Sequence, residues 1–175
     1  MDKEHALQLA REMLTEHVEQ CLPCKETRLK DIDLAAIDAH VCNLVACLVK
    51  HKGDLDEINA YYQSKGLSKD YKGLIKDAQE VLDKLIPELA DYESKQYFAR
   101  LSRMSIVAAE ISLADTNGHA ASDEEEGERS GDSGDWKKDM RITADLDEGL
   151  MEFRRLIARK KLEEHGLNAL EILKE

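Results

Sequence analysis

The chain has 175 residues, enough for one ordinary domain with an appendage and for a single buried core. Only 5% of the residues are aromatic and two are prolines, so the composition favours helices over sheets. The net charge of −12 disfavours, without excluding, binding to a phosphate backbone.

The first two predicted helices lie on either side of a proline break. Apolar residues recur every three or four positions over residues 2–20, which is typical of an amphipathic helix. Pro23 interrupts the pattern, and a second helix is expected from about Lys30 to His51. Its second half, VCNLVACLV, is apolar almost all round but shorter than the roughly 20 residues that cross a bilayer. We therefore predict a helix buried at the centre of a bundle. We also predict a cytoplasmic protein with no signal peptide and no membrane contact.

Three further helices complete the predicted bundle. A short helix follows Gly53, and Ser68 is the expected N-cap of the next helix. The apolar stripe of that helix continues through Pro87, where we expect a kink or a new start. The last helix of the bundle begins near Glu88 and ends at the sequence DTNG, and its apolar residues include Phe98, Leu101 and Met104. The sequence thus predicts an all-α fold, a helical bundle of about five helices within residues 1–118.

The acidic segment ASDEEEGERSGDSGDWKK separates this bundle from the rest of the chain. Residues 122–135 contain seven acidic residues and one arginine, and their net charge of −6 is half that of the whole chain. Low apolar content cannot compensate for the entropy lost on folding, so we predict an acidic, disordered, flexible linker over 119–141. Trp136, the one tryptophan, is expected to be the first ordered residue after it.

A C-terminal helical arm is predicted over 142–175, with Thr143 as the N-cap of its helix. The apolar side chains of the arm recur at helix-in-groove spacing. They indicate either a binding or oligomerisation face, or a face that docks on the chain's own bundle. The basic run RRLIARKK spreads round the helix instead of forming one stripe. The predicted partner-binding residues are Trp136, Leu146, Leu150, Phe153 and Ile157.

The four cysteines raise the question of a metal or redox site. Cys21 and Cys24 form a C-x-x-C pair, but a thioredoxin-like site needs a preceding strand and this pair joins two helices. With His17 the pair is one metal ligand short, and Cys47 and His51 lie roughly 25 Å further along the hairpin. We therefore predict no metal and no cofactor. Cys42 and Cys47 are expected to be small residues of the core. Whether Cys21 and Cys24 bind a metal stays open.

Sequence motifs of the common enzyme classes are missing. There is no H-E-x-x-H, no Walker loop, no G-x-S-x-G, no G-x-G-x-x-G and no Glu-x-x-His pair. We predict no catalytic residues. The leading hypothesis is a non-enzymatic adaptor or regulatory protein that binds another protein, or a second copy of itself, through the C-terminal arm.

The alternative function is association with DNA. Residues 53–77 have the outline of a helix-turn-helix, with the C-terminal arm then serving oligomerisation. Asp70 and Asp77 interrupt the basic face of this unit, and no Arg or Gln stands ready for base edges. The nucleic-acid-binding residues of this alternative are Lys65, Lys69, Lys72 and Lys76.

Overall fold

The computed structural model describes residues 2–20, 22–23, 28–116, 135–146 and 148–164. Within these ranges the fold is all-α, as predicted, and five α-helices precede residue 117. The helices are α1 Lys3–Val18, α2 Leu34–Lys50, α3 Leu55–Ser64, α4 Tyr71–Leu85, α5 Tyr92–Thr116, α6 Asp135–Asp145 and α7 Glu148–Glu164.

Helix α2 is the centre of the fold, which confirms the interpretation of its apolar sequence. Leu44, Val45 and Leu48 are fully buried, and α2 packs against α1, α4, α5, α6 and α7. The helix begins four residues later than predicted, after a two-stranded antiparallel hairpin, β1 Arg28–Leu29 and β2 Ile32–Asp33. The carboxylate of Asp33 caps α2 by accepting the N–H groups of Ala35 and Ala36.

Gly53 ends the turn after α2, where the backbone adopts a left-handed conformation. Its φ is +72°, and its N–H donates to the Leu48 carbonyl at 2.9 Å. A Cβ atom at this position would lie 2.7 Å from Cε of Lys3, whose ammonium group pairs with Asp115 at 2.7 Å. The backbone angle therefore favours glycine, and an added Cβ atom would in addition displace the flexible end of the Lys3 side chain.

Gly53→Ala is expected to lower the free energy of unfolding by about 2 kcal/mol, because a left-handed alanine costs about 1–2 kcal/mol before Lys3 is displaced. Gly66 is the matched control, because its φ is +85° but a Cβ atom added there would have no neighbour within 4 Å. Urea unfolding of both variants measures the difference. Equal losses at the two positions would show that the contact with Lys3 contributes nothing.

Helix α4 begins at Tyr71, and its N-cap is Asp70 rather than the predicted Ser68. The Asp70 carboxylate accepts the N–H of Gly73 at 2.8 Å. Ser68 is engaged elsewhere, since its hydroxyl and its N–H both donate to Asp139 of α6. The expected break at Pro87 is present as a 3-10 turn, Ile86–Glu88, after which α5 starts at Tyr92.

Helix α6 corrects the predicted linker, because residues 135–141 are helical. Met140 and Asp139 are buried against the bundle, with 5% and 1% exposure. The high charge of the neighbouring segment concealed this short amphipathic pattern. Thr143 is likewise inside α6, where its hydroxyl donates to the Asp139 carbonyl, and it does not cap a helix. The remainder of the predicted linker, 119–134, and the end of the arm beyond 164 lie outside the described residues.

Candidate functional site

The predicted partner-binding face of the arm lies against this chain's own core. Leu150 is 2% exposed and belongs to the same core cluster as the residues of α2. Trp136, Leu146 and Phe153 are partly buried against that cluster. Ile157 is half-buried, one turn after Phe153. Binding of a partner through these side chains would therefore require α6 and α7 to leave α2.

Polar contacts hold α6 in place as well as apolar ones. The Asn43 amide donates a buried 3.0 Å hydrogen bond to the Thr143 carbonyl, and Ser68 donates to the Asp139 carboxylate at 2.8 Å. His40 of α2 lines a small cavity with Trp136 and Asp139, and burial lowers its pKa to about 4 although the Asp139 charge acts in the opposite direction. His40 is therefore a neutral imidazole under α6 at physiological pH.

The helix-turn-helix outline is present as α3 and α4, but its lysines do not form one free cationic face. Lys69 precedes α4 and pairs with Asp77 at 2.5 Å. Lys65 lies over the ring of Tyr61, with its ammonium nitrogen 5.6 Å from the ring centroid. Lys72 is half-buried and Lys76 is exposed. The carboxylate of Asp77 thus neutralises part of the surface that the DNA alternative needs.

A small cavity of about 90 Å³ lies between α2, α3 and the end of α6. Cys47, Tyr62 and His51 line it, and His51 Nδ1 is 3.1 Å from Glu57 Oε1. Burial raises the pKa of Cys47 and of Tyr62, so both remain protonated at neutral pH. The space suits a few water molecules, and the protonated thiol is a poor nucleophile.

The outer face of α5 exposes large apolar side chains in a regular row. Tyr92 is 75% exposed, Ile106 47% and Leu113 61%, and half-buried Ala99 completes a row with a spacing of seven residues. We call these four residues the α5 stripe. Isolated apolar residues are normal on protein surfaces, but a row with seven-residue spacing supplies one of the two apolar positions per heptad by which helices pack against each other.

Charged residues accompany the stripe on the same side of α5. Arg103 and Glu110 are both exposed, three residues before and four residues after Ile106. Sequence reasoning missed this face because it followed the inward residues of α5, among them Phe98, Leu101 and Met104. The seven-residue spacing of the stripe was visible in the sequence. Because α5 has apolar residues on two faces, the periodicity of its sequence does not separate one row from the other.

The structure also brings together three potential metal ligands that sequence reasoning did not combine. His17 at the end of α1 meets Asp38 and Cys42, which are one turn apart at the start of α2. The signal was the i, i+4 spacing of Asp38 and Cys42 opposite the end of α1 in a helical hairpin. Cys21 and Cys24, the open candidates from the sequence, lie outside the described residues.

Comparison with models of protein families, with curated proteins and with solved structures finds no match to this chain. Among the residues that the structure describes, none of the helices combines the length and the apolar character needed to cross a membrane.

Proposed function

We propose that this protein is a non-enzymatic adaptor or regulatory protein that works through protein–protein contacts as a homodimer formed by α5. The observation that carries the proposal is the exposed α5 stripe. Its four residues extend over 21 residue steps of one helix, about 32 Å, which is the diameter of a small domain. A second copy of α5 would remove Ala99, Ile106 and Leu113 of this row from water.

The stripe is complementary to itself in an antiparallel pair of helices. A two-fold axis at Ile106 sets Ile106 against its copy and small Ala99 opposite large Leu113, because each lies seven residues from the axis. Arg103 lies three steps from the axis and Glu110 four steps on the other side. In the antiparallel pair the two opposite charges therefore face each other across the interface, twice. This match of size and charge favours a second copy of the chain as the partner.

The C-terminal arm has a supporting role in this proposal. Its apolar side chains cover α2, so the arm contributes to the fold while α5 provides the contact between copies. The outward side of α7 carries Arg155, Arg159 and Lys160, all exposed. A dimer would present two such basic surfaces, which suit an acidic protein partner more than the acidic chain itself.

Sedimentation equilibrium of the full chain tests the dimer. Ile106→Lys with Leu113→Lys is expected to weaken association by about 100-fold or more, because each side chain contributes about 1.5–3 kcal/mol on burial and 1.4 kcal/mol is tenfold. Leu156→Lys is the matched control, since Leu156 of α7 is 48% exposed, as Ile106 is at 47%, but lies outside the stripe. The control is expected to dimerise like the wild type.

A charge exchange tests the antiparallel register. Arg103→Glu alone and Glu110→Arg alone are each expected to weaken self-association, because each places like charges opposite one another. Mixing the two variants is expected to restore a heterodimer. A monomeric wild type, or equal association of the mixed and unmixed variants, would contradict the proposal.

The DNA-associated alternative makes a different prediction with the same protein. It requires the protein to be retained on duplex DNA at low salt. That binding should be lost when Lys69, Lys72 and Lys76 are replaced by acidic residues. The pairing of Lys69 with Asp77 weighs against it. An electrophoretic mobility assay at low salt is therefore expected to show no complex.

A further inference from the structure

Three side chains with metal-binding atoms meet where α1 ends and α2 begins. Nε2 of His17 lies 2.7 Å from Oδ1 of Asp38, and the Cys42 thiol donates a 3.9 Å hydrogen bond to the same oxygen. The ligand atoms of the three residues all lie within 4.8 Å of one another. We propose that His17, Asp38 and Cys42 form a binding site for zinc or a similar divalent transition-metal ion.

The separations of the ligand atoms fit such an ion after small movements. Zinc bonds of about 2.0–2.3 Å place tetrahedral ligand atoms roughly 3.3–3.8 Å apart. The observed 2.7 Å and 3.9 Å therefore need to change by less than about 1 Å. Asp38 and Cys42 are one turn apart on the most buried helix, and the His17 ring packs on Tyr97 with centroids 4.4 Å apart. Packed helices, rather than loops, thus hold the three ligands near the required positions.

The donor set favours zinc over the common hard cations. One imidazole nitrogen, one sulfur and one carboxylate oxygen suit zinc or cobalt, whereas magnesium and calcium take oxygen ligands. The side chains of His17 and Cys42 are 2% exposed, so a net charge at this place would be costly. The Asp38 carboxylate and the Cys42 thiolate together carry two negative charges, which neutralise a divalent ion.

Metal binding requires a proton to leave the cluster. Burial, with a further contribution from the Asp38 charge, raises the pKa of Cys42, so the metal-free site holds a thiol. The metal–sulfur bond forms as the S–H bond breaks, and that proton passes to solvent. Nε2 of His17 offers its lone pair when the ring proton is on Nδ1. No group is oxidised or reduced in this step.

The surroundings leave an entry path. The Asp38 side chain is 18% exposed, so an ion reaches the cluster from that side. Burial raises the pKa of Tyr97, whose hydroxyl hydrogen-bonds to Asp38, so Tyr97 stays a neutral phenol and a poor ligand. A water molecule would complete the four ligands that zinc takes. Arg154 of α7 also acts on the cluster, where its charge favours the thiolate while opposing the arriving cation.

Titration of the full reduced chain with cobalt tests the site. The wild type is expected to bind Co²⁺ with a thiolate-to-cobalt charge-transfer band that zinc abolishes. Cys42→Ser is expected to lose the band and to bind Co²⁺ more than about 100-fold more weakly. Loss of a direct ligand should exceed the effect of residues that only hydrogen-bond to a ligand, which change metal affinity by about 10–100-fold. His17→Gln is expected to weaken binding similarly while keeping the band at saturating cobalt. Cys47→Ser is the matched control, because Cys47 is a second buried α2 thiol outside the cluster.

The double variant Cys21→Ser with Cys24→Ser accounts for the other thiols. An unchanged band in that variant supports the proposed site. A band lost there and kept in Cys42→Ser assigns the metal to the C-x-x-C pair and overturns the proposal, as does a wild type that binds no cobalt. If circular dichroism shows that Cys42→Ser is unfolded, His17→Gln and Asp38→Asn decide, and wild-type affinity in both overturns the site.

Discussion

Leu150→Ala is expected to lower the free energy of unfolding by about 2–4 kcal/mol. Leu150 is 2% exposed and joins the core cluster that α2 dominates, so the truncation leaves a cavity between α7 and the bundle. Chemical denaturation followed by circular dichroism measures the change. Met151→Ala is the matched control, because Met151 is the next residue of α7 and is 40% exposed. The control is expected to change the free energy by less than about 0.5 kcal/mol.

The comparison of these two variants decides whether the arm is part of the fold. If α7 dissociated readily from α2, both truncations would leave the unfolding of α1–α5 unchanged. A two-state transition that shifts for Leu150→Ala alone requires α7 and the bundle to unfold together. Equal, small changes in the free energy of unfolding at both positions would instead support the hypothesis that the arm is a binding element outside the folded bundle.

The second prediction concerns stability at alkaline pH. Tyr71 is fully buried and its hydroxyl donates to the Leu44 carbonyl at 3.0 Å. Burial raises the pKa of Tyr71 well above its ordinary value, and the same holds for Tyr62, whose ring stacks on that of Tyr71. Above about pH 10 the unfolded chain loses these protons while the folded chain keeps them. Stability therefore falls as pH rises, by up to about 1.4 kcal/mol per pH unit for each tyrosine.

Tyr71→Phe is expected to reverse its effect between neutral and alkaline pH. At pH 7 the variant loses about 1 kcal/mol with its hydrogen bond. Near pH 11.5 it avoids roughly 2 kcal/mol of the alkaline loss and becomes the more stable protein. Urea unfolding at the two pH values measures both effects. Tyr92→Phe, whose ring is 75% exposed, is the control, and a Tyr71→Phe curve that stays parallel to the wild type contradicts the expected reversal.

Helix α5 carries two rows of apolar side chains, and the periodicity of the sequence identified only one of them. The inward stripe, with Phe98, Leu101 and Met104, was identified from the sequence, and all three side chains are buried. Ile106 and Leu113 belong to a second row, which no local rule separates from the first. Only the positions of α1, α2 and α4 against the helix show which row is covered. The exposed row is therefore visible only once the neighbours of α5 are known.

The C-terminal arm illustrates the limit of charge and composition. Low hydrophobicity around residue 130 predicted a boundary there, but the helical pattern of α6 begins at Asp135, six residues before the predicted end of the linker. A short helix is unstable alone. It forms here because Met140, Asp139 and Thr143 find partners on α2 and before α4.

Composition and residue spacing were enough to predict the all-α class, about five helices before residue 117 and the burial of α2. These properties follow from spacing and composition within single segments, which act over one or two helical turns. The packing of the helices was needed to show that α6 and α7 cover α2, that the α5 stripe faces outward and that His17 meets Asp38 and Cys42. Each of these depends on contacts between residues far apart in the chain, and local periodicity fixes which face of a helix is apolar but not what that face will contact.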